Sequence, residues 1–371
     1  MVNPQKKLKI LHFVAGGFTG STSVAMDLVA SSNDDLIKSL LVMRKRPATD
    51  MQRVNKLINE NFPVKIISGK LKFITILELY LICRKFQPDI LMAHGYTEHI
   101  WGRYAGLLAR VPRIVHIEHN SKENYSRWRL FQALWITKYT DKIVACAEGV
   151  KVQLCKLGFP ESKILVINNG IDLEKFNDLP HTQFCDRKPS VIMPARFGKQ
   201  KDHATLIHAV HILKKRSVFV QVVFAGQGEL RYLKRAQELV NNLGLQSQIV
   251  FAGYCSDLPK QLMQHQICVL STHYEGMPIA LAEGMAAGCA VIGTAVSGVQ
   301  EMIHHDEDGL LVEHKSSANL ADAIQSLLLN QGLAERLARK ARQRAFNEFS
   351  INLMRAKYTN LYYSLVTEIL E

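Results

Sequence analysis

The chain alternates short apolar segments, rich in valine and isoleucine, with stretches of helical periodicity along most of its length. Near-continuous apolar strands separated by helices are typical of a mostly parallel sheet covered on both faces. The pattern therefore predicts an α/β fold. The predicted strands are Leu8–Val14, Ile37–Met43, Val64–Ile67, Ile90–Ala93, Ile114–Glu118, Ile143–Cys146, Ile164–Ile167, Ser190–Pro194, Val220–Ala225, Ile249–Ala252, Ile267–Leu270, Ala290–Ile292 and Leu310–Val312, and the predicted helices include Thr22–Ala30, Thr75–Phe86 and Arg127–Tyr139.

The strand–helix pattern occurs twice, and a length of 371 residues suffices for two domains. The best candidate for a linker is the polar segment Asp172–Pro189, which contains two prolines and little periodicity. We therefore predict two Rossmann-like doubly wound domains, residues 1–180 and 189–350, facing across a cleft lined by the carboxyl ends of their strands. The pattern is helical from Ser316 onward, and we expect residues 351–371 to pack back on the first domain.

Composition excludes several classes of protein. No apolar run reaches the roughly 18 residues of a membrane-spanning helix, and the amino terminus has no signal-peptide cleavage pattern. The seven cysteines are scattered and include no C-x-x-C pair. This predicts reduced thiols rather than a disulfide framework or a zinc site. We expect a cytoplasmic protein.

The net charge of +13 is concentrated in the first half of the chain. Residues 1–188 contain 28 Lys and Arg against 17 Asp and Glu, whereas residues 189–371 contain 18 against 16. The first half is therefore expected to meet an anionic partner, which could be a nucleic acid, an acidic glycan or a membrane surface. The alternative is a basic surface that serves only solubility.

Two carboxylates flank a predicted helix start in the segment Glu275-Gly-Met-Pro-Ile-Ala-Leu-Ala-Glu283. Pro278 suits the first turn of a helix, Ile279–Ala287 is small and apolar, and Gly288 can end the helix. Glu275 then lies beside the free N–H groups of the first turn, which form a site for anions such as phosphate. Glu283 lies about 7–8 Å further along. One carboxylate could thus face a sugar and the other the ribose of a nucleotide sugar.

Two cations follow a predicted strand in the segment Ala195-Arg196-Phe-Gly-Lys-Gln-Lys201-Asp-His. A forked guanidinium and an ammonium group at a strand end are suited to a diphosphate, whose charge they offset without a metal. An isolated Arg and Lys at this spacing would usually be solvated residues on the protein surface. Its position before the carboxylate pair favours a site.

A glycine-rich loop, Ala15-Gly-Gly-Phe-Thr-Gly20-Ser-Thr-Ser, joins the first strand to a helix. Gly17 and Gly20 would allow the backbone to approach a phosphate closely, and Ser21 or Thr22 could cap the helix. An ordinary strand–helix turn has a similar composition. The loop is not a G-x-x-x-x-G-K-[ST] phosphate loop.

Histidines cluster after two neighbouring strands of the first half. His119, in Val-His-Ile-Glu-His-Asn, is expected at the strand end, where it could donate to a transferred sugar. His116 alternates onto the same face as Glu118 and may serve structure alone. His94 and His99 could face an acceptor, but their spacing is not that of a helical metal pair, and we expect no metal.

Taken in order, these motifs resemble those of the family 4 retaining glycosyltransferases (group 1 glycosyl transferases of the bacterial surface-glycan type), whose signature is E-x7-E. Two departures stand out: the family's G-G-A-E is missing from the glycine loop, and Asp202 replaces a frequent glycine. The likeness covers nearly the whole chain, most strongly from about residue 140 to 315. It includes Asn169-Gly-Ile-Asp172…Phe176, Phe224-Ala-Gly226-Gln-Gly228, Phe251-Ala-Gly253 followed by Asp257-Leu258, and Gly298…Glu301…Asp308-Gly309.

The resemblance implies a GT-B fold in which residues 189–350 bind the donor and residues 1–180 the acceptor. It implies that Arg196 and Lys201 bind the diphosphate, that Glu275 and His119 lie near the transferred sugar, and that Glu283 binds the ribose; these are catalytic roles for Glu275, His119, Arg196 and Lys201. The rest of the implied donor site is Gly17, Gly20, Gly226, Leu258, Gly276, Met277, Pro278 and Ile279, with the backbone of Met277–Ala280 holding phosphate or sugar oxygens. No metal or cofactor is implied beyond a nucleotide-diphosphate sugar, with UDP expected rather than GDP.

The implied reaction moves a hexose or N-acetylhexosamine to a lipid-linked, lipopolysaccharide-type or capsule-type glycan, with retention of configuration. The basic first half points to peripheral contact with the anionic inner face of a membrane. The helix Arg127–Tyr139, which is basic and aromatic, could lie at that interface or pack its aromatic face on the sheet. Alternatives are a sugar-nucleotide epimerase of similar architecture, an inactive scaffold, and a nucleic-acid-binding protein. The last is disfavoured because no recognition module is present.

Overall fold

The computed structural model describes residues 7–18, 20–32, 36–47, 49–95, 97–121, 125–177 and 183–367. The chain divides into two compact units. The first comprises Met1–Asn169 together with Met354–Glu371, and the second is Gly170–Leu353. Among the described residues, no helix combines the length and the apolar character needed to span a bilayer.

The first unit is a seven-stranded parallel sheet in the order β3-β2-β1-β4-β5-β6-β7. Its order reverses between β1 and β4, which is where doubly wound sheets bind ligands. The strands are β1 Leu8–Ala15, β2 Ile37–Arg44, β3 Val64–Ile67, β4 Ile90–His94, β5 Arg113–Glu118, β6 Lys142–Ala145 and β7 Ile164–Val166. The helices between them are α1 Gly20–Ser31, α2 Met51–Asn59, α3 Lys72–Phe86, α4 Glu98–Ala109, α5 Arg127–Ile136 and α6 Glu148–Lys156.

The second unit is a six-stranded parallel sheet in the order β10-β9-β8-β11-β12-β13, with its own reversal between β8 and β11. Its strands are β8 Lys188–Pro194, β9 Val222–Ala225, β10 Ile249–Gly253, β11 His265–Leu270, β12 Ala290–Thr294 and β13 Leu310–Val312. Its helices are α7 His203–Lys215, α8 Leu230–Asn242, α9 Leu258–Leu262, α10 Ile279–Ala286, α11 Ser297–Gln300, α12 Ser317–Leu329 and α13 Gln331–Glu348, and α14 Ile351–Thr367 ends the described chain.

All thirteen predicted strands are present, with ends that differ from the prediction by two residues at most. The helix predicted at Arg127–Tyr139 is confirmed, although its last three residues, Thr137–Tyr139, form a 3-10 turn. The described part of the predicted linker Asp172–Pro189 lies in the second unit, and residues 178–182 are outside the described residues. All seven cysteines are free, as predicted.

Backbone contacts explain why the segment after β7 belongs to the second unit. Ile171 N–H donates to the Phe349 carbonyl at 2.8 Å, and Ile351 N–H donates to the Ile171 carbonyl at 2.9 Å. A Cβ on Gly170 would lie 2.5 Å from the Cα of Ile351, so only glycine allows this approach. From Met354 onward, α14 belongs to the first unit, where Arg113 Nε donates to the Leu365 carbonyl at 2.7 Å.

Histidines form an unusual polar layer inside the first unit. His12, His94, His99, His116 and His119 are all at least nine-tenths buried. Burial lowers the pKa of His12 to about 3 and the pKa values of His116 and His119 to about 4. It also lowers the pKa values of His94 and His99 well below the usual range. These rings are therefore neutral in the folded protein at neutral pH.

This layer makes the first unit sensitive to mild acid. An unfolded histidine has a pKa of about 6.5, so between about pH 6.5 and pH 4 the unfolded chain binds more protons than the folded one. The free energy of unfolding should therefore fall as pH falls, by about 1.4 kcal/mol per pH unit for each such histidine. Urea denaturation followed by fluorescence reports on this unit, because all three tryptophans (Trp101, Trp128 and Trp135) lie in it.

We expect the fluorescence midpoint to be constant from pH 8.5 to 7 and to drop steadily between pH 6.5 and 5. Carboxylates do not titrate in that window. A midpoint that stays constant down to pH 5 would show that these histidines are not neutral and buried together.

Candidate functional site

The loop that follows β8 packs against the loop that follows β9. Ala195 N–H donates to the Ala225 carbonyl, and Phe197 N–H donates to the Gln227 carbonyl, each at 3.0 Å. A Cβ on Gly226 would lie 2.3 Å from the Ala195 carbonyl oxygen, and one on Gly228 would lie 2.1 Å from that of Phe197. The G-x-G motif is thus required by the close approach of two backbones.

The same β8 loop also pairs with the loop that follows β11. Asp202 N–H donates to the Ser271 carbonyl at 3.0 Å, and His273 N–H donates to the Gln200 carbonyl at 2.9 Å. Because β8 and β11 are neighbours at the point where the strand order reverses, both loops leave the same edge of the sheet. Residues 74 positions apart in sequence, Lys201 and Glu275, thereby come together.

Glu275 is the centre of this arrangement. Its side chain is 6% exposed, and its Oε1 receives Lys201 Nζ at 2.5 Å and Thr272 Oγ1 at 2.9 Å. Its Oε2 receives Gln200 Nε2 at 3.0 Å. A buried carboxylate with an ammonium partner and two further donors is held in one orientation. The Glu275 carboxylate is therefore fixed in position and is not arranged to act as a mobile base.

Helix α10 begins directly after this carboxylate and ends as predicted. Its C-cap is Ala287, and Gly288 follows with a φ of +70°, the left-handed conformation that glycine provides. Pro278 occupies the N-cap position, one residue before the predicted place. Pro278 also has no N–H, so the donors that the first turn can offer come from Ile279 and Ala280.

The start of α10 has no side-chain cap, as is also true of α8 and α11. Side chains of Asp202 and Ser316 accept hydrogen bonds at the starts of α7 and α12, whereas no side chain caps α10. Its first N–H groups are thus left for another acceptor. Gly298 keeps this turn open, since a Cβ there would lie within bonding distance, 1.7 Å, of the Gly276 carbonyl oxygen.

Two arginines hold the other end of α10. Arg187 donates to the carbonyls of Ala287 and Gly288, both at 2.9 Å, and Arg342 donates to that of Ala286 at 2.6 Å. Burial, with the nearby Arg187 charge, lowers the pKa of Arg342. Guanidinium groups at a helix C-terminus satisfy its free carbonyls and stabilise its dipole. The short helix is therefore fixed at its far end.

The remaining donor-site residues predicted in this unit are placed differently from one another. Arg196 is exposed, and no hydrogen bond or ion pair joins its side chain to another residue in the described part of the chain. Lys201 is instead paired with Glu275, so the two cations have distinct environments. Glu283 is half-buried on α10, and Leu258 is half-buried at the start of α9.

In the first unit, the glycine loop is closed by Thr22, one of the two side chains that were candidates to cap the helix. Thr22 is the third residue of α1, and its hydroxyl lies 2.5 Å from the Gly17 carbonyl oxygen, to which it donates. Gly20 is the first residue of α1, and Thr19 lies outside the described residues. The cap predicted for Thr22 is wrong because the hydroxyl points back to the loop.

His119 directly follows β5, at the strand end where it was predicted. It is 8% exposed, and its Nε2 lies 3.2 Å from His94 Nδ1. His94 in turn lies 3.0 Å from His12, measured between His94 Nε2 and His12 Nδ1. The three rings thus form one chain through β1, β4 and the end of β5.

A second buried group, His99, His116 and Glu118, has ligand atoms within 4.8 Å of one another, as a metal site requires. Both ring nitrogens of His99 are already engaged, by Tyr125 Oη at 2.7 Å and by the Arg103 guanidinium at 2.8 Å. Arg103 is fully buried, so its charge would oppose a cation here. We assign the group to the polar core.

Several residues of the second-unit site were missed by sequence reasoning. Of the two residues that orient Glu275, Gln200 lies within the segment of Arg196 and Lys201, and Thr272 lies three residues before Glu275, but nothing local marks their contacts. Arg187 and Arg342 lie far from α10 in sequence, and only the fold brings them to it. In the first unit, Glu98 is buried against Arg44 and Arg46, both within 2.6 Å of its Oε1.

Comparison with known proteins shows which family this chain resembles. The family description "Glycosyl transferases group 1" matches residues 175–344, and "Glycosyltransferase Family 4" matches residues 26–175. The chain is 27% identical over 311 residues to the Escherichia coli UDP-Gal:alpha-D-GlcNAc-diphosphoundecaprenol alpha-1,3-galactosyltransferase, covering 79% of each. It is 25% identical over 367 residues to the lipopolysaccharide core biosynthesis glycosyltransferase LpsE of Rhizobium meliloti, covering 95% of this chain and 98% of LpsE.

Solved structures show the same fold. Anabaena HepE in complex with UDP-glucose superposes with a TM-score of 0.85 at 18% identity, over 96% of this chain and 100% of that one. Sucrose-phosphate synthase from Thermosynechococcus elongatus superposes with a TM-score of 0.79 at 18% identity, over 98% and 100%. The two family matches together span residues 26–344. The chain belongs to the group 1, family 4 glycosyltransferases and has their GT-B fold of two Rossmann-like units.

Proposed function

We propose that this enzyme transfers a sugar, with retention of configuration, from a nucleotide-diphosphate sugar bound by the second unit. The observation that carries the proposal is the buried Glu275, fixed by Lys201 and Gln200 beside the uncapped start of α10. This places a fixed negative charge next to free N–H donors at the strand-order reversal of the sheet. The negative charge suits a sugar hydroxyl or a developing positive charge, and the N–H donors suit a phosphate.

The donor is proposed to lie along α10. The N–H groups of Ile279 and Ala280 would bind the diphosphate, and Glu283, one to two turns further along, would accept hydrogen bonds from the ribose. Arg196 is the cation available for the phosphates, because Lys201 is neutralised by Glu275. We propose UDP as the carrier in preference to GDP, since HepE, which has the same fold, has been crystallised with UDP and with UDP-glucose.

Transfer then needs charge stabilisation and no covalent intermediate. The acceptor hydroxyl oxygen bonds to the anomeric carbon on the face that the diphosphate leaves, and the bond from that carbon to the phosphate oxygen breaks. The hydroxyl proton passes to the departing phosphate. Arg196 and the start of α10 stabilise the charge that grows on the phosphate, while Glu275 stabilises the positive charge that grows on the sugar.

The acceptor is proposed to be a lipid-linked or lipopolysaccharide-type glycan, met by the first unit at the cytoplasmic face of a membrane. Relatives named for a diphosphoundecaprenol acceptor and for lipopolysaccharide core biosynthesis support this. The exposed faces of α3, α4 and α5, here called the α3–α5 surface, support it independently. Phe73 is 84% exposed, Leu108 63% and Trp128 66%.

The α3–α5 surface combines apolar and basic groups. An open groove of about 600 Å³ lies within it and is lined by side chains of all three helices, including Phe73, Tyr104 and Leu108. Exposed cations on α3, α5 and the turns beside them include Lys70, Lys72, Arg127 and Lys138. Aromatic and basic residues together suit anionic head groups. The exposure of Trp128 and Phe131 (57%) excludes the alternative in which the aromatic face of α5 is buried on the sheet.

Substitutions in the second unit should abolish transfer while the fold persists. We expect Arg196→Ala and Glu275→Gln each to lower kcat/KM by about 100-fold or more, because each removes charge stabilisation of the transition state. Lys199→Ala, in the same loop and also exposed, should keep nearly full activity. The assay is release of nucleotide from a UDP-sugar in the presence of a lipid-linked acceptor.

Acceptor dependence separates transfer from the epimerase alternative. A transferase releases UDP in proportion to acceptor, whereas an epimerase interconverts the sugar nucleotide without one. Unimpaired transfer in both Arg196→Ala and Glu275→Gln would refute the site.

Nucleotide binding should discriminate by base. A ligand at about 100 times its dissociation constant stabilises the folded protein by about 2.7 kcal/mol, an easily visible thermal shift. We expect UDP and UDP-sugars to raise the melting temperature and GDP to raise it less. Glu283→Ala should reduce the UDP shift, whereas the exposed Glu238→Ala should not. A larger shift with GDP would contradict the proposed carrier.

Membrane contact should depend on both parts of the α3–α5 surface. We expect binding to phosphatidylglycerol vesicles, weaker binding to phosphatidylcholine, and loss of binding as salt is raised, because surface charges are screened. A Phe73→Ser/Trp128→Ser variant should bind about tenfold more weakly.

The matched control is Phe219→Ser/Leu230→Ser, which removes apolar side chains that are 72% and 62% exposed on the second unit. Vesicle cosedimentation measures binding in each of these cases. Equal binding by the two double variants would contradict the assignment of the surface.

A further inference from the structure

Three buried imidazoles lie in a row in the first unit. His12 is on β1, His94 ends β4, and His119 follows β5, so neighbouring strands supply one ring each. His12 Nδ1 lies 3.0 Å from His94 Nε2, and His94 Nδ1 lies 3.2 Å from His119 Nε2. Each contact joins two ring nitrogens, so in each contact one ring donates and the other accepts.

Counting protons restricts this row to two states. Each ring is neutral and carries one N–H, since burial lowers the pKa values of His12 and His119 to about 3 and about 4. Two hydrogen bonds use two of the three protons. If His12 donates to His94, then His94 must donate to His119, and the third proton is left on His119 Nδ1. If the direction is reversed, the third proton is left on His12 Nε2.

The two end atoms are therefore coupled. His119 Nδ1 is a donor only when His12 Nε2 is an acceptor, and in both states all three rings carry the proton on the same kind of nitrogen. Neither end atom has a hydrogen-bond partner among the described residues. The buried hydroxyl of Tyr362, whose ring meets that of His12 edge-on at 6.5 Å, also has none within the same described ranges.

We propose that His12 and His94 are positioning residues that set the tautomer of His119, and so decide whether its Nδ1 offers a donor or an acceptor to a sugar hydroxyl. The tautomer coupling goes beyond the proposed function and does not depend on it. Only its consequence for catalysis rests on the proposed function, together with the place beside the transferred sugar that the family resemblance implies for His119.

The coupling is tested in the ligand-free protein by ¹⁵N NMR of labelled histidines, in which the ring shifts report the protonated nitrogen. We expect His12, His94 and His119 to share one tautomer. A mixture, such as Nδ1–H on His12 with Nε2–H on His119, overturns the proposal. Because no substrate is present, this result is independent of whether the protein transfers sugars.

Two variants of His12 test the direction of influence. His12→Leu removes the group that bonds to His94, whereas His12→Asn keeps a donor and an acceptor near the position of Nδ1. We expect the His119 ring shifts to change in His12→Leu and to stay close to the native values in His12→Asn. The buried His265 of the second unit, bonded to Ser190 at 2.7 Å, is the internal control. Unchanged His119 shifts in His12→Leu overturn the proposal.

Catalysis provides the second readout. We expect His12→Leu to lower kcat by about tenfold with little change in the KM for the nucleotide sugar, and His12→Asn to restore most of it. If the NMR result holds and kcat is unaffected, the coupling exists without a role in transfer, and the catalytic part of the proposal fails. If neither variant shows transfer because the native protein shows none, the failure lies with the proposed function.

Discussion

The ion pair between Lys201 and Glu275 is the interaction on which the second-unit site depends. It joins loops from β8 and β11, whose pairing sets the strand-order reversal of that sheet. Both side chains are nearly buried, so removing one partner would leave an uncompensated charge at a cost of about 3–5 kcal/mol. The contacts that join the two loops therefore also hold Glu275 just before the start of α10, where we propose that it acts in transfer.

Much of the fold could be predicted because its determinants are local. Apolar segments such as Ile90–Ala93 are too short for helices and are bounded by turn residues, so period and length alone identify them as strands. The E-x7-E segment was predicted as a helix from Pro278 and Gly288, which act within a few residues. The strand order depends on pairing between distant segments, so it could not be predicted from local patterns. For that reason Glu275 and Lys201 were predicted as site residues but not as partners.

Contacts that were not predicted have the same origin. Thr22 is a residue type that often caps helices, yet its hydroxyl donates to the loop carbonyl of Gly17, a contact set by the turn geometry. His119 lies at the strand end as predicted, but its contact with His94, and through it with His12, depends on the strand order. For α5, helical spacing of aromatic residues was equally consistent with burial and exposure. Only the packed structure shows that Trp128 is exposed.

The most direct test of the donor site is a crystal structure with bound UDP. We expect diphosphate oxygens within hydrogen-bond distance of the N–H groups of Ile279 and Ala280, ribose hydroxyls bonded to the Glu283 carboxylate, and the Arg196 guanidinium turned to the phosphates. UDP density elsewhere, with the start of α10 still open and Glu283 without ribose contact, would contradict it.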